Sequence, residues 1–91
     1  MRLDWDPEKA ASNLKKHGVS FEEAASVFAD PLALYGEDPS HPERTRVIGI
    51  STGRRLLFCV FVDRDEDEFR IISARKATAH ERRRYEEGTE A

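Results

Sequence analysis

At 91 residues the chain is long enough for one compact domain and too short for two, because a smaller fold buries too little apolar surface to offset chain entropy. Hydrophobic residues make up 38% and charged residues 36%, which excludes a membrane span and a plainly disordered polymer and predicts a very soluble globule. The net charge of −3 argues against binding nucleic acid by bulk attraction, since a polyanion is normally met by an excess of Lys and Arg. Charge is nevertheless segregated. Arg75, Lys76, Arg82, Arg83 and Arg84 surround a single acid, Glu81, while acids collect from Asp63 to Glu68. A local phosphate-binding surface requires such a separation, although a solvated charge run reads the same way. The lone Cys59 rules out an internal disulfide and fits a reducing cytosol. No apolar stretch follows a basic start near Met1, so export is not expected and a cytoplasmic location is.

Arg2, Leu3, Asp4 and Trp5 alternate polar with apolar, then Asp6 and Pro7 supply an N-cap and a first helical residue, so a short strand should lead into a helix. That helix runs to about Lys16 or His17 and stops at Gly18, suited to a left-handed cap. Ser20 and Glu23 have capping-box spacing, and Phe21, Ala24, Ala25 and Phe28 form one apolar stripe behind them. Asp30 and Pro31 end the helical region. Leu32 to Tyr35 reads as a short strand and Gly36 to Glu43, with two prolines, as a polar loop. Three strands follow, Arg46 to Ser51, Leu56 to Val62 and Phe69 to Arg75, whose short connections favour an antiparallel meander with the middle strand central. Thr78 and Glu81 open a last helix, which Gly88 closes. No repeat or linker divides residues 1–91, so the expectation is one α+β domain: a twisted antiparallel sheet, two N-terminal helices and one C-terminal helix.

The sequence resembles the BrnT toxin family. The resemblance is carried by Trp5-Asp6, Lys9, Asn13, Lys16-His17, then Val19, Phe21 and Glu23-Ala24, the run Arg70-Ile71-Ile72-Ser73-Ala74-Arg75, and finally Thr78, Glu81-Arg82 and Tyr85. It implies a RelE-like fold and a metal-independent, cofactor-free endoribonuclease that slows translation. It also implies a hetero-oligomer with a BrnA-type ribbon-helix-helix antitoxin, through which alone operator DNA is bound. The lysine pair of RelE toxins is not recognisable here.

Cleaving RNA without a metal lets the ribose 2′-hydroxyl attack its own phosphate, which needs a proton acceptor, a proton donor and cations for the growing charge. His17, His41 and His80 are the three histidines, and arginine adds a fork that holds two phosphate oxygens at once. Lys9, Asn13, Lys16 and His17 are spaced to share one helix face on which RNA could rest; a solvated face with His17 as a helix-end cation is the alternative. Arg75 and Lys76 point to opposite faces, and Arg75 is preferred as the partner of Arg46 because it follows the parity of Phe69, Ile71 and Ser73. The resemblance also places a phosphate-binding arginine at Arg75; an ordinary ion pair is the alternative. Arg46 shares parity with Ile48 and Ile50, and either lines a partly polar sheet face or sits at a frayed strand start. Glu43 is a weak base candidate, Trp5 is read as core rather than as a base-stacking ring, and Cys59 as packing. The catalytic candidates are thus His17, Arg46, Arg75 and His80, and the RNA-binding candidates Lys9, Asn13, Lys16, Lys76, Arg83 and Tyr85. Two other functions fit the same residues: a non-catalytic module whose basic helix docks a partner in repression, and a toxin that occupies the ribosome without cutting.

Overall fold

The computed structural model describes residues 2–65 and 67–88, with the side chain of residue 65 outside the description. The terminal residues 1 and 89–91 and Glu66 of the acidic segment therefore lie outside the described part. Five strands, β1 (Arg2–Asp4), β2 (Leu34–Asp38), β3 (His41–Ile50), β4 (Leu56–Asp65) and β5 (Glu68–Lys76), form one sheet in the order β1-β5-β4-β3-β2. Helices α1 (Pro7–His17), α2 (Phe21–Ala25) and α3 (Ala79–Glu87) complete the α+β layers. The expected all-antiparallel sheet needs correction. β1 runs parallel to β5, because α1 and the sheet's own meander separate the two strands in sequence and no hairpin joins them.

Helix boundaries follow from side-chain caps. Asp6 accepts the Glu8 N–H at 3.3 Å, Pro7 occupies the first turn, and Gly18 ends α1 at φ 71°. At α3 the reciprocal box forms as expected, with Glu81 N–H donating to Thr78 Oγ1 at 3.1 Å and Thr78 N–H to Glu81 Oε1 at 2.8 Å. At α2 only half of the box forms. Ser20 Oγ accepts the Glu23 N–H at 3.0 Å, but the Glu23 carboxylate turns away to Arg55 and Ser51, a stronger charged partner. The helix then tightens into a 3-10 turn over Ser26–Ala29.

The segment expected as a polar loop, Gly36 to Glu43, is a hairpin: β2 ends at Asp38 and β3 already begins at His41. Its prolines do not prevent pairing. Glu37 pairs with Thr45 and Asp38 with His41, so Pro42 lies in a bulged stretch where it owes the ladder no hydrogen bond.

One sheet face carries Val47, Leu57, Cys59, Phe61, Ile71 and Ala74, fully or almost fully buried against Val19, Phe21 and Ala24 and the 3-10 residue Val27. Trp5 meets Phe21 edge-on at 6.0 Å and packs on this core, as read from sequence. Cys59 is buried there and its thiol is pushed up to about 12, chiefly by burial, so it packs and does not react. The opposite face carries Arg46, Ile48, Phe58, Val60, Ser73 and Arg75, related by the cross-strand pairs Arg46↔Val60, Ile48↔Phe58, Val60↔Ser73 and Phe58↔Arg75. Helix α3 lies on that face, over the fully buried Ile48.

A bulge in β5 decides which side chains reach this second face. Val60 pairs with Ser73 but Phe61 with Ile71, leaving Ile72 as the extra residue. Strict alternation would place Arg75 with Ile71 in the core. The inserted residue flips the pattern, so Ile71 and Ala74 both face the core while Ser73 and Arg75 join Arg46. Arg75 therefore does share a face with Arg46, but not for the parity reason read from the sequence.

Candidate functional site

Between α3 and the second sheet face lies a hollow of about 190 Å³ lined by Arg46, Ile48, Phe58, His80, Glu81 and Arg84. Strand β3 positions Arg46 in mid-strand, not at a frayed start, because pairing continues back to His41. One terminal nitrogen of Arg46 donates to the Glu37 carbonyl at 2.7 Å. Its Nε is buried and has no hydrogen-bond partner among the described residues. A buried N–H without an acceptor is costly and rare.

Arg75 borders the hollow. Its two terminal nitrogens each donate to one oxygen of Glu81 at 2.9 Å, and its guanidinium lies 4.3 Å from the centre of the Phe58 ring. Burial alone would raise the Glu81 carboxyl, but hydrogen bonds from Arg75 and Thr78 outweigh it and hold the group below the usual carboxylate range. Glu81 is thus a fixed anion. His80, in the first turn of α3, accepts from Arg84 Nε at its Nε2, 3.3 Å away. With that nitrogen accepting, the neutral ring carries its proton on Nδ1.

The other candidates separate. His17, Lys9 and Lys16 line a different hollow of about 280 Å³, together with Ser12, Asn13, Ile72 and Ser73. It lies beside α1, at the β5 edge beyond the last residue paired with β1. Helix α1 packs on the core face and α3 on the other, so His17 does not join Arg46 and His80.

Asn13 is not a free RNA-binding side chain. It is only 8% exposed; its Oδ1 accepts the Ala74 N–H at 3.1 Å, and its Nδ2 donates to the carbonyls of Ala74 at 2.8 Å and Val19 at 3.0 Å. Its amide gives Ala74 what a neighbouring strand would give, closing the sheet edge that β1 leaves open. Tyr85 is also engaged. Its hydroxyl donates to Asp30 Oδ2 at 2.7 Å, pinning α3 to the end of the 3-10 turn. Lys76 lines a third hollow with Arg54, Arg55 and Arg82, and Arg83 is exposed on α3 and lines none of these three. His41 and Glu43 face each other at 3.6 Å on the exposed start of β3, away from the hollow.

Sequence reasoning misses Glu81, Phe58 and Arg84 as lining residues. Glu81 reads as a cap, and the cap spacing hides its second role. Arg84 stands one helical turn after His80, a spacing that could have revealed it.

The family model described as "Ribonuclease toxin, BrnT, of type II toxin-antitoxin system" matches residues 5–81. Among solved structures, the Brucella abortus ribonuclease toxin BrnT superposes with a TM-score of 0.67 at 24% identity, covering 86% of this chain and 97% of that one. That likeness concerns the fold. The search of curated proteins gave no significant match. A type II system implies a protein antitoxin as partner. On the family match over most of its length, this chain belongs to the BrnT family of type II toxin-antitoxin ribonuclease toxins.

Proposed function

We propose that the chain is a metal-independent endoribonuclease whose active site is the hollow between α3 and the sheet. The observation that carries this reading is that Arg46, with a buried unsatisfied Nε, and His80 line one hollow together with Glu81, whose carboxylate holds Arg75. The ribose 2′-oxygen attacks the adjacent phosphorus, the bond to the 5′-oxygen breaks, and a cyclic phosphate forms. His80 Nε2 takes the 2′ proton as Arg84 turns to the phosphate, and solvent protonates the departing oxygen. Arg46 Nε and the outer edge of Arg75 stabilise the charge that grows on the phosphoryl oxygens. Both oxygens of Glu81, the one carboxylate lining the hollow among the described residues, are held by Arg75, so guanidinium groups supply the positive charge here. His17, Lys9 and Lys16 act, if on RNA, only through the separate hollow beside α1.

In the cell this activity would cut RNA in the cytoplasm and inhibit translation. A BrnA-type ribbon-helix-helix antitoxin would neutralise it in a hetero-oligomer, and operator DNA would be bound through that partner. The test is to incubate the purified chain with RNA in the presence of a chelator. Cut ends are expected, and Arg46→Ala and His80→Ala should each lower the cleavage rate by about 100-fold or more. Cleavage that requires an added divalent cation would refute metal independence. Arrested translation with intact RNA would assign the chain to ribosome blocking instead.

A further inference from the structure

The β3–β4 turn is held from several sides. Ser51 N–H donates to the Arg55 carbonyl and Arg54 N–H to the Ser51 carbonyl, each at 2.9 Å. Ser51 Oγ donates to Glu23 at 2.6 Å, and the Thr52 N–H reaches Ser26 Oγ at 2.9 Å. Within it Arg54 has φ 60°, the one non-glycine residue with positive φ among those described. Three-residue hairpin loops normally place glycine at such a left-handed position. An arginine there is strained, and strain of this kind gathers at ligand sites.

Arg54 lines the third hollow, about 300 Å³, with Lys76 and Arg82. None of these three side chains makes a hydrogen bond or ion pair among the described residues, whereas Arg55 beside them is committed to Glu23. No carboxylate among the described residues lines the hollow. Two of its members are chain neighbours of residues that line the first hollow, since Arg82 follows Glu81 and Leu56 lies two residues before Phe58 on β4, and Lys76 follows Arg75, the partner of Glu81. Two strand residues span about 7 Å, a separation that one strand of nucleic acid bridges between successive phosphates.

We propose that Arg54, Lys76 and Arg82 form a second phosphate subsite, which holds a neighbouring phosphate of the RNA strand cut in the first hollow; the choice of RNA rests on the nuclease reading. Two guanidinium forks and an ammonium suit phosphate oxygens. An acidic protein partner fits less well. Interfaces between proteins are built around apolar anchors, and the exposed large apolar residues Leu14, Leu32, Tyr35 and Ile50 line other surfaces.

The test uses the full chain and a single-stranded 2′-O-methyl RNA long enough to cover both hollows, which binds but offers no attacking hydroxyl. The variant combines Arg54→Gly, which suits the left-handed turn, with Lys76→Gln and Arg82→Gln on exposed side chains, and a thermal melt checks folding. Affinity is expected to fall on the order of tenfold at low salt, with the slope of log affinity against log salt shallower by about 0.7 for each phosphate no longer neutralised. Unchanged affinity and slope would overturn the subsite. So would poly-glutamate binding the wild-type chain more tightly than the RNA and losing that binding in the variant, which would assign the hollow to an acidic protein. If the wild-type chain binds the probe through these residues but leaves unmodified RNA whole, the subsite stands and the nuclease reading falls.

Discussion

Arg75 and Glu81 meet fork to fork, two nitrogens on two oxygens at 2.9 Å each, and the pair joins the end of β5 to the first turn of α3. Because Glu81 also accepts the Thr78 N–H, one carboxylate sets the angle of the helix and the orientation of the arginine beside the proposed active site. Glu81→Gln keeps the size but loses the charge and half the fork. It should cost about 1–2 kcal/mol of stability and lower the rate of RNA cleavage, because Arg75 is no longer held over Phe58. Denaturant unfolding and a cleavage assay on the same preparation check this. An unaltered cleavage rate would show that Arg75 needs no fixed orientation.

Asn13 ties α1 to the sheet edge through two buried hydrogen bonds with Ala74 and makes a third to the Val19 carbonyl. Asn13→Ala leaves the Ala74 N–H and two carbonyls without this partner, and should cost roughly 3 kcal/mol. RNA affinity of the variant that remains folded should match wild type. A selective loss of RNA binding at full stability would restore the RNA-contact role read from sequence.

Glu23 is held below the usual carboxylate range chiefly by the Arg55 guanidinium, against burial and with help from Ser51. Its folded value lies below the unfolded 4.5, so its contribution is full above that pH and is lost as pH falls through the lowered value. Glu23→Gln should therefore be less stable than wild type near neutrality, with the gap narrowing on acidification below 4.5. Urea unfolding across an acid pH series measures the gap, and a constant gap would contradict the linkage.

Tyr85 is pushed up to about 12, mainly by burial and further by its bond to Asp30. Its contribution is complete below the ordinary value of 10.0 and fades as pH rises toward 12. Tyr85→Phe should cost about 1–2 kcal/mol at neutral pH and flatten the alkaline loss of stability. Tyrosinate absorbance followed with base should show the phenol that titrates near 12 in wild type missing in the variant.

Arg54 occupies a backbone region that costs an ordinary residue about 1–2 kcal/mol, whereas glycine enters it freely but gives up unfolded-state entropy. Arg54→Gly alone should raise stability by up to about 1 kcal/mol, read as a higher melting temperature. The adjacent Gly53 behaves oppositely: a Cβ there would come within 2.9 Å of Glu23 Oε2, so Gly53→Ala should destabilise the turn.

Much of the fold was legible in local chemistry. Asp6-Pro7 with Gly18, and Thr78 with Glu81 and Gly88, marked the bounds of α1 and α3, since the groups that end a helix are its near neighbours in the chain. The β2–β3 hairpin was hidden by its prolines, whose harmlessness depends on a bulge formed against another strand. The same limit applied at the site: Arg46 and His80 were recognisable as chemistry, but their meeting in one hollow depends on where α3 lies on the sheet.

By itself the sequence determined the ends of α1 and α3, the apolar runs that become central strands, the burial of Cys59, the packing of Trp5 on the core, and the family. Each rests on contacts within a few residues or on the pattern of the whole chain. Only the tertiary structure decided that β1 runs parallel to β5, that Asn13 serves the sheet edge, that Glu23 leaves its cap for Arg55, and that one extra residue at Ile72 turns Arg75 toward Arg46. The reason is common to all four: a side chain's partner across 32 or 61 residues of sequence is chosen by strand register and by competition for charge, and neither is written in local spacing.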